Sequence, residues 1–380
     1  MKILMLNYAF PPIGGGGGKA HLNLLKEYSK TDDLEVVVLT SKPTLGFEVE
    51  QFSDNIQIHK IGLHKKSLYY WRKVEVLEWL FKAYPRYKKV LDSNQYDLVH
   101  AFFGFPSGWL CYRSRKKIPY IISLRGSDVP GQNKRLGLDY KLLSPVFKKI
   151  WNNASALIAC SNGLKERALK FLPVAGIGVI ANGVDTGKFK PVKVNDSNSL
   201  KLITVGRLSE TKRVDLLIDA VERMKKQGTD VSLVIVGDGR LRNSLEQQIL
   251  SRKLSNNIII TGFVKADDMP QYYSRSDLYI SATMQEGMSN AMLEAMASGL
   301  PIVTTKCEGV DELIDDNGIV VEKAEGDYIA KVIMELIDDN ERYKKMTLTA
   351  RGKAEQFTWE KVAEQYIECY HNMIAGKGQK

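Results

Sequence analysis

The chain has 380 residues, too many for one typical core, and its 44% hydrophobic content is ordinary for a soluble globular protein, so two domains are expected. The net charge of +10 is uneven: residues 1–200 carry 30 Lys and Arg against 16 Asp and Glu, and residues 201–380 carry 24 against 28. A basic first half suggests an anionic partner such as phosphate, nucleic acid or an acidic membrane surface, while the lack of any run of ~18 apolar residues excludes a bilayer-spanning helix.

The first segment, MKILMLNYAFPP, is a short apolar run broken by Asn7 and prolines, so no secretory leader is expected there. KILMLN (2–7) reads as a buried parallel strand. PPIGGGGGKAH (11–21) follows it and leads into a helix. Gly15 and Gly16 would let backbone N–H groups approach a phosphate at the helix start, or they form a flexible connector. The run satisfies G-x-G-x-x-G only because it is all glycine, and no acidic residue follows cleanly at the distance a dinucleotide fold needs.

EVVVLT (35–40), LVHAF (98–102), YIISL (120–124), ALIAC (156–160) and VIA (179–181) read as further strands with helical patterns between several of them. HKKSLYYWRKVEVLEWLFKAYPRYKK (64–89) mixes cations and aromatics on an expected helix, and RSRKK (113–117) adds a basic cluster. Together they suit either an anionic membrane surface or a packing helix with a solvated side. His100 lies near a strand terminus, where a lone histidine is more often structural than catalytic; with Arg125 and Asp128 it is nonetheless assigned to the acceptor or phosphate side. Arg125 and Asp128 follow the YIISL strand and could form a loop salt bridge or face an anionic ligand.

ANGVDTGKFKPVKVNDSNS (181–199) reads as a linker, giving domains at 1–182 and 200–357 with the join at 183–199. LKLITVG, SLVIVG, NIIITG, DLYISA and PIVTT then form a second strand series, so the fold class is α/β with two similar parallel-sheet domains. In VGRLSETKRVD, Arg207 and Lys212 follow a strand end and suit a diphosphate, or form a solvated basic turn. Gly237 and Gly239 follow the next strand, as a turn or as a place where a nucleotide comes close. In QEGMSNAMLEAMASGLP, Glu286 is expected in a loop and Glu294 inside a buried helix that starts near Ser289 or Asn290. Gly287, Met288, Ser289 and Asn290 offer amides at a positive helix end. Glu286 can accept from sugar hydroxyls and Glu294 from a ribose, where the plainer roles are a helix-start charge and a surface residue. The tail FTWEKVAEQYIECYHNMI (357–374) reads as a strong helix. Cys111, Cys160, Cys307 and Cys369 are too scattered for a zinc site or a disulfide framework and fit a reducing compartment.

In this order, the glycine loop, ANGVDTGKFKP, GRLSETKRVD, VGDG and EGMSNAMLEAMASGLP resemble the retaining glycosyltransferases of family four over nearly the whole length. The resemblance implies a GT-B fold, two Rossmann-like domains facing each other across a cleft, with the tail helix (358–374) packing back on the first. It implies transfer of a hexose-type sugar from a nucleotide sugar, UDP being the commonest carrier, to a glycan or lipid-linked acceptor in cell-surface polysaccharide or glycolipid synthesis. Arg207 and Lys212 would hold the diphosphate, Glu286 the sugar, the amides of 287–290 sugar and phosphate, and Glu294 the ribose. Gly15 and Gly16 would approach the phosphates. Many relatives carry histidine where Arg125 stands; guanidinium cannot act as a base, but front-face attack lets the leaving phosphate take the acceptor proton. No D-x-D occurs, so no catalytic metal and no other cofactor are expected. The expected location is cytoplasmic, with peripheral contact to an anionic membrane face and no nucleic acid. A nicotinamide-dependent oxidoreductase or epimerase, and a silent sugar-nucleotide-binding subunit, are the competing readings.

Overall fold

The computed structural model describes residues 1–68, 70–131, 137–173, 176–191 and 199–376; part of the expected linker, 192–198, lies outside them. It divides into two compact units, Met1–Asn182 with Trp359–Lys380, and Gly183–Thr358.

The first unit runs β1 (Lys2–Asn7), α1 (Gly16–Tyr28), β2 (Glu35–Lys42), β3 (Phe47–Ser53), β4 (Ile56–Gly62), α2 (Lys73–Ser93), β5 (Leu98–Phe102), α3 (Ser107–Ser114), β6 (Tyr120–Leu124), α4 (Gly137–Asn152), β7 (Ala156–Ala159), α5 (Asn162–Phe171) and β8 (Ile177–Val179). Its sheet has the order β3-β4-β2-β1-β5-β6-β7-β8, parallel except where β3 pairs antiparallel with β4. The inner strands β5, β6 and β7 are buried throughout, because helices cover both faces. Edge strand β3, FEVEQFS, is mostly exposed, and its Glu48 and Glu50 pair with Lys42 and Lys60. Charge on an edge discourages pairing with another chain.

The second unit runs β9 (Leu200–Val205), a 3₁₀ turn (Glu210–Lys212), α6 (Val214–Lys226), β10 (Val231–Val236), α7 (Arg242–Ser251), β11 (Ile258–Gly262), α8 (Met269–Ser274), β12 (Leu278–Ser281), α9 (Asn290–Ala297), β13 (Ile302–Thr305), α10 (Val310–Leu313), β14 (Gly318–Val321), α11 (Gly326–Asp338) and α12 (Asn340–Ala354). Its sheet is wholly parallel, in the order β11-β10-β9-β12-β13-β14. Renumbered within the unit this is the 3-2-1-4-5-6 order of a dinucleotide-binding sheet. Strand order reverses between β9 and β12, opening a crevice at their carboxyl ends.

The last helix, α13 (Trp359–Ile374), belongs to the first unit. Its Trp359, Val362, Tyr366, Tyr370 and Met373 join the apolar core that also holds Leu24, Leu25, Leu98 and Phe102. Buried hydroxyls fix its register: Tyr370 meets Tyr28 at 2.9 Å, and Tyr366 meets Ser123 at 2.8 Å.

Candidate active site

The reversal point of the second sheet carries its charged side chains on two loops. After β9 the chain passes Gly206 and Arg207 into the 3₁₀ turn that ends at Lys212. Arg213 then adopts a left-handed conformation (φ 44°) and is held there by a fork onto Asp215, Nε to Oδ1 at 3.1 Å and Nη2 to Oδ2 at 2.9 Å. A non-glycine residue in that region is strained, and here the strain turns the chain sharply after Lys212. The Lys212 stem passes over Gly206, and a small pocket beside it is lined by Thr204, Gly206, Lys212 and Ser281.

The loop after β12 supplies the counter-charge. Glu286 Oε2 accepts from Lys212 Nζ, and the two side chains are 24% and 22% exposed. Backbone bonds tie the loops together: Met284 N donates to Thr211 O at 2.8 Å, and Thr305 Oγ1 from β13 donates to Thr283 O at 2.8 Å. Arg207 is exposed, and among the described residues no hydrogen bond or ion pair holds it. The site is thus a half-exposed Lys–Glu pair with a second cation nearby in the chain. It can neutralise a phosphate and accept from hydroxyls at one place.

Ser289 caps α9 by accepting from Met292 N at 3.3 Å, so Glu286 stands in the loop and Glu294 in the helix. Gly287 and Asn290 are half-buried, and Met288 and Ser289 are buried. Glu294 Oε2 accepts from the Tyr273 hydroxyl at 2.8 Å, which orients the carboxylate from α8. Burial raises the Tyr279 phenol well above its ordinary value, and the negative charges of Glu286 and Glu294 add to the shift. Tyr279 therefore lies within electrostatic reach of both carboxylates. Burial, with Glu286 next, pushes the Cys307 thiol up to about 12. Gly237 has φ 148°, and a Cβ there would stand 1.9 Å from Gly206 O. Close packing of the two strand ends is reason enough for this glycine.

In the first unit the reversal lies between β1 and β5. Gly15 is the N-cap residue of α1, without a side-chain cap, and Gly16 is exposed. Deeper in the run, a Cβ at Gly18 would come 2.3 Å from Ala9 O, so part of the glycine run serves packing. Phe103, just past β5, is left-handed at φ 74°. Asp128 is buried and accepts from Gly104 N at 2.7 Å and Arg125 N at 2.9 Å, which ties the loops after β5 and β6 together. Its carboxyl is raised by burial. Asp128 binds the Arg125 amide here, so of the two readings the loop salt bridge gives way to backbone bonds. The Arg125 guanidinium donates instead to Asn182 Oδ1, and its buried Nε has no hydrogen-bond partner among the described residues.

His100 is a correction. It is fully buried, with Nδ1 on the Tyr370 hydroxyl and Nε2 on Ser123 Oγ, both at 2.7 Å. Burial pulls its pKa well below the ordinary value. His100 thus points into the core that receives α13. Sequence reasoning also passed over Tyr273, Tyr279 and Asn182. Nothing in QYYS or DLYI marks the tyrosines, whereas Asn182 sits inside a quoted motif.

Comparison with known proteins agrees with this layout. The model for glycosyl transferases group 1 matches residues 185–353, and that for Glycosyltransferase Family 4 matches residues 14–188. An uncharacterized glycosyltransferase of Methanocaldococcus jannaschii is 26% identical over 377 residues, covering 98% of this chain and 99% of that protein. Among solved structures, sucrose-phosphate synthase from Thermosynechococcus elongatus superposes with a TM-score of 0.83 at 20% identity, covering 99% of each chain. Anabaena HepE in complex with UDP-glucose gives 0.73 at 21% identity, covering 98% of this chain and 100% of that one. The structural likenesses establish the fold, the sequence models the kinship: the chain belongs to glycosyltransferase family 4 and has the GT-B fold.

Proposed function

We propose that the protein is a retaining hexosyltransferase that uses a UDP-linked sugar and needs no metal, and that its acceptor is a glycan or a lipid-linked sugar in cell-surface polysaccharide or glycolipid synthesis. The observation that carries this is the Lys212–Glu286 pair at the reversal point of the second sheet. A lysine there offsets the charge that develops on a departing diphosphate, and Arg207 adds a second, exposed cation. Glu286 accepts from the hydroxyls of the donor sugar. Glu294, oriented by Tyr273, accepts from the ribose. In the transfer step the bond from the anomeric carbon to the diphosphate oxygen breaks, and the acceptor oxygen bonds the same face. The acceptor proton passes to the leaving phosphate, so no protein base is required and Arg125 is compatible with the step. UDP-glucose on the structurally similar HepE supports uridine as the first carrier to test.

Thermal-shift screening against a panel of nucleotide sugars identifies the donor, and transfer with excess EDTA checks the metal. Lys212→Ala and Glu286→Ala are expected to fold normally and lose transfer; full activity in both would overturn the site. A silent binding subunit would leave a purified sample with neither transfer nor slow donor hydrolysis. Family membership replaces the nicotinamide-dependent reading, and calorimetry with UDP and NAD tests that directly. A cytoplasmic location at a membrane face completes the proposal, supported by the basic first half of the chain.

A further inference from the structure

Residues 64–68 and 70–93 divide into an inward and an outward side. Lys65 and Glu75 are each 1% exposed and pair at 2.7 Å; Glu75 also accepts from Lys66 N, Arg72 N and Arg72 Nε. Glu78 accepts from Lys82 Nζ and bonds His64 Nδ1, each at 2.7 Å. The two carboxylates in the first turns of α2 are therefore bonded locally. The outward side is apolar: Val74, Leu77 and Phe81 are 60%, 64% and 84% exposed. Their i, i+3, i+7 spacing puts them on one stripe of the helix. Lys66, Lys73, Lys88 and Lys89 are exposed around it, and Arg113, Lys116 and Lys117 are exposed at the end of α3, which packs against α2. No acidic residue occurs from 98 to 127.

We propose that this stripe of α2 is a docking surface for an anionic lipid bilayer, with Val74, Leu77 and Phe81 entering the acyl boundary and the surrounding lysines meeting the headgroups. An exposed apolar row ringed by cations fits that occupant, because each lysine gains near a negative surface and the row leaves water. A second copy of the chain fits less well, since it would bring like charge against like. The inference sharpens the membrane location proposed above and rests on it, but not on the transfer chemistry.

The test is co-flotation of the full chain with vesicles of phosphatidylglycerol and phosphatidylcholine, or of phosphatidylcholine alone, at low and high salt. Binding to the anionic vesicles, weakened by salt, is expected. Leu77→Ser with Phe81→Ser, and separately Lys88→Glu with Lys89→Glu, should each reduce it at least tenfold with the far-UV spectrum unchanged. Sugar transfer to a water-soluble acceptor should persist in both variants, so failure of docking and failure of the transfer reading give separate signals. Equal binding to both vesicle types, unchanged binding in the variants, a dimer abolished by Leu77→Ser with Phe81→Ser, or an oligonucleotide that displaces the vesicles would overturn the proposal.

Discussion

The reversal points of the two sheets share a plan and differ in what fills it. Each has a left-handed non-glycine residue in a loop at the reversal point, Phe103 directly after β5 and Arg213 past the 3₁₀ turn that follows β9. In the second unit the neighbouring side chains are the half-exposed Lys212 and Glu286. In the first they are buried groups bonded to the protein: Asp128 on two amides, and His21 on Asn7 at 3.1 Å and stacked on Phe102. Accessible charge serves a ligand that arrives and leaves; buried polar groups mutually bonded hold loops in register. Similar backbones thus divide the work between chemistry and scaffolding.

The contrast can be broken most severely at Lys212. Lys212→Ala should lower turnover by about 10²–10³-fold, the range seen when one transition-state stabiliser is removed, with little change in melting temperature. Gly237→Ala should destabilise the second unit by about 3 kcal/mol, from backbone strain and overlap with Gly206 O; chemical denaturation followed by far-UV circular dichroism reads it. His100→Ala should cost the first unit about 2–3 kcal/mol, through a cavity and two orphaned hydroxyl partners. All five tryptophans and all five histidines fall within Met1–Asn182 or Trp359–Lys380, so tryptophan emission reports the first unit selectively.

Acid should separate the units more gently. Burial, with Arg125 next, lowers His21 to about 3, and His100 is also held well below its ordinary value. Between the ordinary histidine value and the lowered one, the unfolded chain binds protons that the folded unit refuses. The stability from His21 is whole above about pH 6.5 and is lost as pH falls toward 3, by about 2 kcal/mol at pH 5, and His100 acts in the same direction. Tryptophan emission should therefore change at a higher pH than far-UV ellipticity from the second unit. Coincident transitions would show that buried histidines do not set the acid limit.

Much of this was legible in the sequence, for a physical reason. Strands covered on both faces must be apolar along their length, so KILMLN, YIISL and DLYISA stand out. β3 and β4 were missed because FEVEQFS and IQIHKIG mix polar with apolar residues, β3 at the sheet edge and β4 beside it. The helix expected over 64–89 begins at Lys73, because Lys65 turns inward to Glu75 and Arg72 takes the N-cap position with Glu75 reaching back. Glu286 and Glu294 separated correctly into loop and helix, since Ser289 is a strong cap. The Lys212–Glu286 contact was not readable: it spans 74 residues and exists only because β12 lies beside β9. Tyr273 was equally silent, its role set by the packing of α8 against α9.

The tail helix has a consequence for how the protein is made. Tyr366 and Tyr370 fill a core whose other walls lie between Ile3 and Ile180 and leave the ribosome much earlier. The second unit is one continuous stretch and can reach its final packing during synthesis, whereas the first must wait with an open apolar groove until the residues of α13 have been made. A truncation that removes α13 would therefore damage the unit whose sheet is synthesised before the other.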